Sequence, residues 1–300
     1  MINEIRNYAE VIENASLTKY NTFKIGGNTK YLIMPSSIND LISVLKILAE
    51  NNIKFFVLGN GSNVVLNSKF FDGAVISLRH LDGIDIKPEM NMAYAEAGAM
   101  LPKLVVESTN KSLTGLEFAA GIPGTVGGSI YGNAGAYNSC IMDYVESVTV
   151  IDLNEDFKIK ILEHEKITYK YRTTMFKENK NYIIIAAKFF LKKGEKKNSL
   201  DIMEDRKRRR LSSQPLEFPS AGSVFRNPEG DFAGRLIESC NLKGTKIGDA
   251  EVSEKHANFI INKGHATSQD VHDLIMLVHD TVLQKTNVDM TIEQEFIGWE

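Results

Sequence analysis

The sequence predicts an α+β protein of two or three domains, on three observations. Strand and helix patterns alternate from Ser37 to Ser112. Two glycine-rich stretches interrupt that alternation, the first directly after a strand pattern. Beyond a polar, basic break near Lys193 the pattern restarts as a second α+β unit. A chain of 300 residues can bury a sizeable core in either unit.

Taken in order, "SINDLISVLKILAENN" (37–52) places Leu41, Leu45 and Leu48 on one stripe behind Ser37, a residue suited to capping a helix start. "IKFFVLG" (53–59) is a short apolar run ending in glycine, the signature of a buried strand. "GAVISL" (73–78) and "NMAYAEAGA" (91–99) read as further strands, with "MLPKLVVESTNKS" as the helix that follows. "VESVTVIDL" (145–153) and "NYIIIAAKFFL" (181–191) read as sheet strands, and "LKKGEKKNSL" (191–200) as a linker leading to a helix with the run "DRKRRR". The last unit reads as strand "AGSVFRNP", helix "DFAGRLIESCN", strand "HANFIIN", long helix "SQDVHDLIMLVHDTVLQKT" and strand "TIEQEFIGWE".

Composition excludes several function classes. Hydrophobic residues at 43% and charged residues at 24% give an ordinary globular profile, and a net charge of -3 offers no general attraction for nucleic acid or an anionic membrane. No apolar run approaches the ~20 residues that span a bilayer, and "MINEIRNYAE" lacks a signal core. Two cysteines, Cys140 and Cys240, do not make a disulfide framework and point to a reducing cytoplasm. They and six scattered histidines match no zinc spacing, so no metal is expected. The arginines from Arg206 to Arg210 read as a solvated helix face that also draws in anionic ligands, because no aromatic residues interleave them. His272 and His279 are ordinary helix positions, and His256 is assigned a structural use.

The glycines raise the sharper question. "AGIPGTVGGSIYGNAG" (120–135) holds six glycines in sixteen residues, a density that costs conformational entropy. "LGNGSNVVL" (58–66) resembles the G-x-G-x-x-G fingerprint, but Val64 stands where the third glycine belongs. Either stretch alone reads equally well as a tight turn. Two together, nearly without charged side chains, suit a ligand that brings its own charge to main-chain N–H donors, such as a diphosphate. "NTFKIGG" (21–27) adds a third hydroxyl-, amide- and glycine-bearing turn.

In order along the chain, "NTFKIGG", "VLGNGSNVVL", "GLEFAAGIPGTVGGSIYGNAGAY", "YRTTMF", "PSAGSVFRNP", "HANFIIN" and "EQEFIG" occur between Tyr20 and the C-terminus. The ordered set resembles the UDP-N-acetylenolpyruvoylglucosamine reductases, flavoenzymes of bacterial cell-wall synthesis, in their second, shorter type. The resemblance implies a FAD-binding fold of the vanillyl-alcohol oxidase (PCMH) type in two subdomains, residues 1–80 and 81–195, followed by a reductase-specific α+β domain over 196–300. That fold is not a Rossmann fold, which accounts for the missing third glycine. FAD would then lie against Gly59, Asn60, Gly61, Ser62 and Asn63, and against Gly121, Pro123, Gly124, Thr125, Gly127, Gly128, Asn133 and Gly135.

The implied reaction passes hydride from NADPH through FAD to an enolpyruvyl double bond, giving UDP-N-acetylmuramate. No second dinucleotide fingerprint occurs, in keeping with NADPH and the UDP-sugar using one site in turn. Three residues match the family's catalytic positions. Arg172 in "YRTTMF" offers a fixed fork to a carboxylate and to the negative charge that builds beside it. Ser223 in "AGSVFRNP" is the implied proton donor, uncharged and therefore cheap to place against a flavin. Glu293 stands five residues before Gly298, with Glu295 as the alternative on the same strand face; the local wording departs from the family's usual form. Glu293 would act protonated, through a pKa raised by burial. Arg226 and Asn227 match substrate contacts, Arg226 where lysine is common, and Tyr131 and Tyr171 line either the substrate pocket or the core. The family implies a monomer. The rival readings are another FAD-dependent oxidoreductase of the same fold and a non-enzymatic flavin- or nucleotide-binding protein. The reductase-specific C-terminal motifs argue against the first, and joint retention of Arg172, Ser223 and Glu293 argues against the second.

Overall fold

The computed structural model describes Met1–Trp299. The chain divides into two compact units. The first comprises residues 1–13, 31–59 and 73–208, and the second 14–30, 60–72 and 209–300. The chain leaves one unit and enters the other inside three strands, Ala9–Ser16, Asn28–Pro35 and Phe71–Ser77.

In the first unit, helix Ile38–Glu50 starts where its cap predicts: Ser37 Oγ accepts the Asp40 N–H at 3.1 Å. Leu41, Val44, Leu45, Ile47 and Leu48 are its buried face. Strand Phe55–Leu58 pairs in parallel with Phe71–Ser77, with Phe55 opposite Ala74 and Leu58 opposite Ser77. A five-stranded sheet runs in the order Lys158–Glu163, Val145–Asp152, Tyr182–Phe190, Met92–Glu96, Ile84–Lys87, with every neighbour antiparallel. Its central strand, "YIIIAAKFF", does not alternate because Ile183 to Ala187 are all buried. Helix Leu101–Asn110 contributes Leu104 and Val105 to the same core.

Two expectations for this unit change. Part of the glycine-rich stretch is a helix, Val126–Tyr131, capped by Thr125, whose Oγ1 accepts the Gly128 N–H at 3.3 Å. A Cβ on Gly127 would lie 2.8 Å from Ala97 Cβ, so the glycine lets this helix sit directly on the chain after strand Met92–Glu96. The expected linker 191–200 is in part helical, because helix Lys196–Ser213 begins inside it. Ser199, the one buried residue of that helix, donates to buried Glu117 at 2.5 Å, an anchor that polarity alone does not announce.

The second unit is built on helix Ser268–Thr286, which has the predicted extent. A reciprocal cap between Thr267 and Asp270 starts it, and Asn287 in the left-handed region ends it. Val271, Leu274, Ile275, Val278 and Val282 pack with Phe23, Phe225 and Val65. A small antiparallel sheet orders Lys246–Ile247, Ala250–Val252 and Ile260–Asn262. Strand Glu295–Ile297 pairs in parallel with Val64–Leu66, and Trp299 beyond it donates Nε1–H to Val65 O at 3.0 Å while stacking on His272 at 4.5 Å.

Three strand expectations shrink here. "HANFIIN" is a strand only over Ile260–Asn262, and the final strand covers only Glu295–Ile297. "AGSVFRNP" is not a strand but makes single bridges, Ser223 to Phe259 and Phe225 to Ile292. Carboxamides stand in for the missing strand partner. Asn258 accepts the Phe225 N–H at 2.9 Å and donates to Phe225 O at 2.8 Å, and Gln294 donates to Ala221 O and Gly222 O, each at 3.2 Å.

Among the described residues no helix is long and apolar enough to cross a membrane, and no three His, Cys, Asp or Glu side chains cluster as metal ligands. Cys140 and Cys240 are both thiols.

Candidate active site

The expected site residues fall in both units, and each half has its own construction. In the first unit the strand Phe55–Leu58 delivers Gly59 onto the second glycine stretch: a Cβ at Gly59 would lie 2.8 Å from Thr125 Oγ1. The two stretches that the sequence sets more than sixty residues apart therefore meet there. Farther along, Arg172 sits at φ +58 and donates Nη2–H to Gly135 O at 2.7 Å, with its guanidinium 5.1 Å from the Tyr171 ring. Gly135 admits that contact, since a Cβ there would lie 2.6 Å from Ser139 O and 3.2 Å from Arg172 Nη1. Asn133 is buried at φ +44, its carboxamide donating to Lys170 O at 2.9 Å, and Tyr131 O accepts from the Thr174 hydroxyl at 2.9 Å. These bonds tie the glycine stretch to the segment that carries Arg172. Tyr171 is exposed and Tyr131 half-buried.

In the second unit four chain segments come together. Thr22 donates its N–H to Gly61 O at 3.1 Å and its hydroxyl to Ser220 O at 2.6 Å, joining the "NTFKIGG" turn to the first glycine loop and to the serine segment. Gly61 needs its left-handed φ of +62 and its missing Cβ, which would otherwise lie 2.5 Å from Tyr20 O. Asn63 donates its side chain to Glu293 O at 3.1 Å and accepts the Glu295 N–H at 2.9 Å. Glu293 donates its own N–H to Val224 O at 2.8 Å, next to Ser223. Gly222, at φ +74, places Ser62 O 3.9 Å from where its Cβ would be. The glycine loop, Ser223 and the glutamate pair thus share one neighbourhood.

Ser223 is half-buried and its hydroxyl makes no hydrogen bond among the described residues. Glu293 precedes the last strand, so the shared strand face expected for Glu293 and Glu295 does not arise; both are half-buried. Arg226 is half-buried, and its N–H donates to Thr291 O at 2.9 Å. Asn227 is exposed, and its Oδ1 accepts the Ala233 N–H at 3.1 Å where helix Ala233–Ser239 begins.

Sequence reading missed Thr22, Asn258 and Gln294 as the side chains that hold this neighbourhood together. Polar residues inside the apolar patterns "NFIIN" and "IEQEFI" were the available signal.

Each loop, taken by itself, suits an anionic group held by neutral donors. The main-chain N–H groups of Gly61, Ser62, Gly124 and Thr125 donate to no group among the described residues, and the glycines remove the side chains that would hold a ligand away.

Two family models define a flavin-binding protein with an added C-terminal domain. Residues 29–157 match the family model described as FAD binding domain, and residues 214–297 match the C-terminal domain model of UDP-N-acetylenolpyruvoylglucosamine reductase. The reductase of that name from Clostridium novyi is 43% identical over 299 residues, covering 100% of this chain and 96% of the relative. The one from Caldicellulosiruptor saccharolyticus is 41% identical over 291 residues, covering 96% and 92%. The crystal structure of the Thermus caldophilus enzyme (MurB) superposes with a TM-score of 0.80 at 30% identity, covering 96% of this chain and 98% of that one. Phl p 4.0202, a glucose dehydrogenase, shares the fold alone, with a TM-score of 0.51 at 15% identity over 64% of this chain and 44% of that one. The chain belongs to the UDP-N-acetylenolpyruvoylglucosamine reductase family. Its fold is the FAD-binding fold of the vanillyl-alcohol oxidase type followed by the reductase C-terminal domain.

Proposed function

We propose that this protein reduces UDP-N-acetylglucosamine enolpyruvate to UDP-N-acetylmuramate, using NADPH and FAD, as a monomer of the bacterial cytoplasm in which NADPH and the UDP-sugar occupy one site in turn. When bound, FAD supplies the hydride carrier between reductant and substrate. The protein supplies position and charge. Cofactor binding is assigned to each loop by its own residues: Gly61 and Ser62 as main-chain donors with Asn60 and Asn63 in one, and Gly124 and Thr125 as main-chain donors with Gly121, Pro123, Gly127, Gly128, Asn133 and Gly135 in the other, with Gly59 leading into the first.

Arg172 binds the substrate carboxylate and offsets the charge that builds on its α-carbon; its bond to Gly135 O and its stack on Tyr171 set the fork in advance. Ser223 holds the proton that the α-carbon takes up. A serine is a weak acid, so the basicity of that carbon drives the transfer. Glu293 is favoured over Glu295 as the assisting carboxyl, because its N–H is bonded to Val224 beside Ser223. Substrate contacts are further assigned to Arg226 and Asn227 in the second unit and to Tyr131 and Tyr171 in the first.

The observation that carries this reading is the meeting, within the second unit, of the Gly61–Asn63 loop, the Ser223 segment and the glutamate pair through Thr22 and Asn63. The test is optical. The expected outcome is that purified protein will be yellow and release FAD on denaturation, that NADPH will bleach it without oxygen, and that enolpyruvyl-UDP-N-acetylglucosamine will restore the colour with formation of UDP-N-acetylmuramate. Bleaching that this sugar nucleotide does not reverse overturns the proposal.

A further inference from the structure

We infer that Gln294 is a positioning residue for Ser223, its carboxamide fixing the turn that presents the serine hydroxyl; this rests on the reading of Ser223 as proton donor. Gln294 is 3% exposed and lies between the two candidate carboxylates. Both of its partners, Ala221 O and Gly222 O at 3.2 Å each, are carbonyls, so the NH₂ end must face them and spends one hydrogen on each. Its Oε1 is buried without a partner among the described residues. An apolar side chain would carry no such penalty, so the position retains a polar group at a cost to folding that only the two donated bonds offset.

Those two bonds have a specific geometric effect. Ala221 O belongs to the peptide plane before Gly222 and Gly222 O to the plane after it. Gly222 sits at φ +74 and is the most freely rotating residue of the segment. Holding both planes pins its φ and ψ, and these set the direction in which Ser223 leaves the turn. On the far side Val224 O accepts from Glu293 N–H and Asn258 clamps Phe225, so Ser223 is flanked by fixed peptides while its own hydroxyl stays unengaged by the described residues. A proton donor needs this: transfer requires alignment with the acceptor orbital, and small misplacements are costly in rate.

The experiment uses the FAD-loaded full chain and its Gln294→Met and Gln294→Glu variants in stopped-flow. In Gln294→Met, flavin reduction by NADPH stays within about twofold of the parent. Reoxidation by the enolpyruvyl sugar nucleotide falls about tenfold or more, and the Kd of that nucleotide changes less than about threefold, a loss of alignment rather than of binding. In Gln294→Glu only the protonated acid can donate to a carbonyl, so reoxidation declines more steeply with rising pH than in the parent and recovers at low pH. A readout independent of turnover is amide hydrogen exchange in the cofactor-free chain, where Gln294→Met speeds exchange in 221–225 and leaves helix Ser268–Thr286 unchanged.

Parent-like reoxidation and exchange in Gln294→Met overturns the inference, as does equal loss of both half-reactions, which marks a merely structural residue. Should Gln294→Met not fold, a pH slope in Gln294→Glu no steeper than the parent's overturns it instead. Failure of the function reading looks different: the parent itself is then not reoxidised by the sugar nucleotide, and the inference falls with it.

Discussion

The glycine stretch of the first unit and the serine segment of the second solve the same problem by opposite means. Each must hold a non-repetitive backbone in one conformation beside a ligand. In 120–135 the backbone is held by what is missing: without Cβ atoms Gly127 lies on Ala97, and Gly135 lies on Ser139 and Arg172. In 220–225 it is held by what is added, the carboxamides of Asn258 and Gln294 and the hydroxyl of Thr22, which donates to Ser220 O. The first region should therefore fail when atoms are inserted, and the second when polar atoms are removed.

The largest expected effect lies in the second region. Ser223→Ala should keep FAD and be reduced normally by NADPH, while reoxidation by the sugar nucleotide slows by roughly 10²–10⁴-fold, the usual worth of a positioned acid; anaerobic stopped-flow reads both halves. Equal rates in parent and variant would remove Ser223 as the proton source. Next comes insertion in the first region. Gly127→Ala should cost about 1–3 kcal/mol, because the nearest atom, Ala97 Cβ at 2.8 Å, is short and backbone-bound and cannot swing aside; urea titration measures it. A stability loss in Gly127→Ala no larger than in Gly264→Ala, whose new Cβ meets only Asp249 Oδ2 at 3.2 Å, breaks the comparison.

Arg172→Lys keeps the charge but loses the fork, so reoxidation should drop about tenfold with flavin reduction little changed. The smallest effects are in pH, and they run in opposite directions. Burial works against the Glu117 carboxylate, yet hydrogen bonds from Ser199, Thr114 and the Gly115 N–H outweigh it and hold the pKa below its ordinary 4.5. That stability is present above the unfolded value and lost as pH falls through the lowered one. His279 has a pKa raised above 6.5, chiefly by its bond to Asp280, with burial opposing and Asp289 adding to the rise. Its contribution is full below the unfolded value and lost as pH rises through the raised one. Melting temperatures across pH should flatten below the ordinary carboxylate value of 4.5 in Glu117→Gln and above the ordinary histidine value of 6.5 in His279→Gln.

Legibility follows the same divide. Helices with a cap and an apolar stripe, Ile38–Glu50 and Ser268–Thr286, were readable to within a residue or two at either end because the pattern that buries them is local. The glycine loops were readable as special backbone, although Gly61, Gly127 and Gly135 turn out to be needed first for the chain's contact with itself. The serine segment misled, because "AGSVFRNP" has strand composition and its partners are side chains distant in sequence. Nothing within ten residues of Ser223 reveals that Asn258 and Gln294 will bond the peptides on either side of it, at Phe225 and at Ala221 and Gly222. For the same reason only spacing distinguishes Glu293 from Glu295 in the sequence.

Trp299 is the chain's single tryptophan, and it is seated on His272 with its indole N–H on Val65 O. The segment that carries both candidate carboxylates is thereby tagged with a native fluorophore. Lifting that end off its neighbour would move the indole into water and shift its emission to the red, so the seating of one short strand can be followed by light in unlabelled, cofactor-free protein.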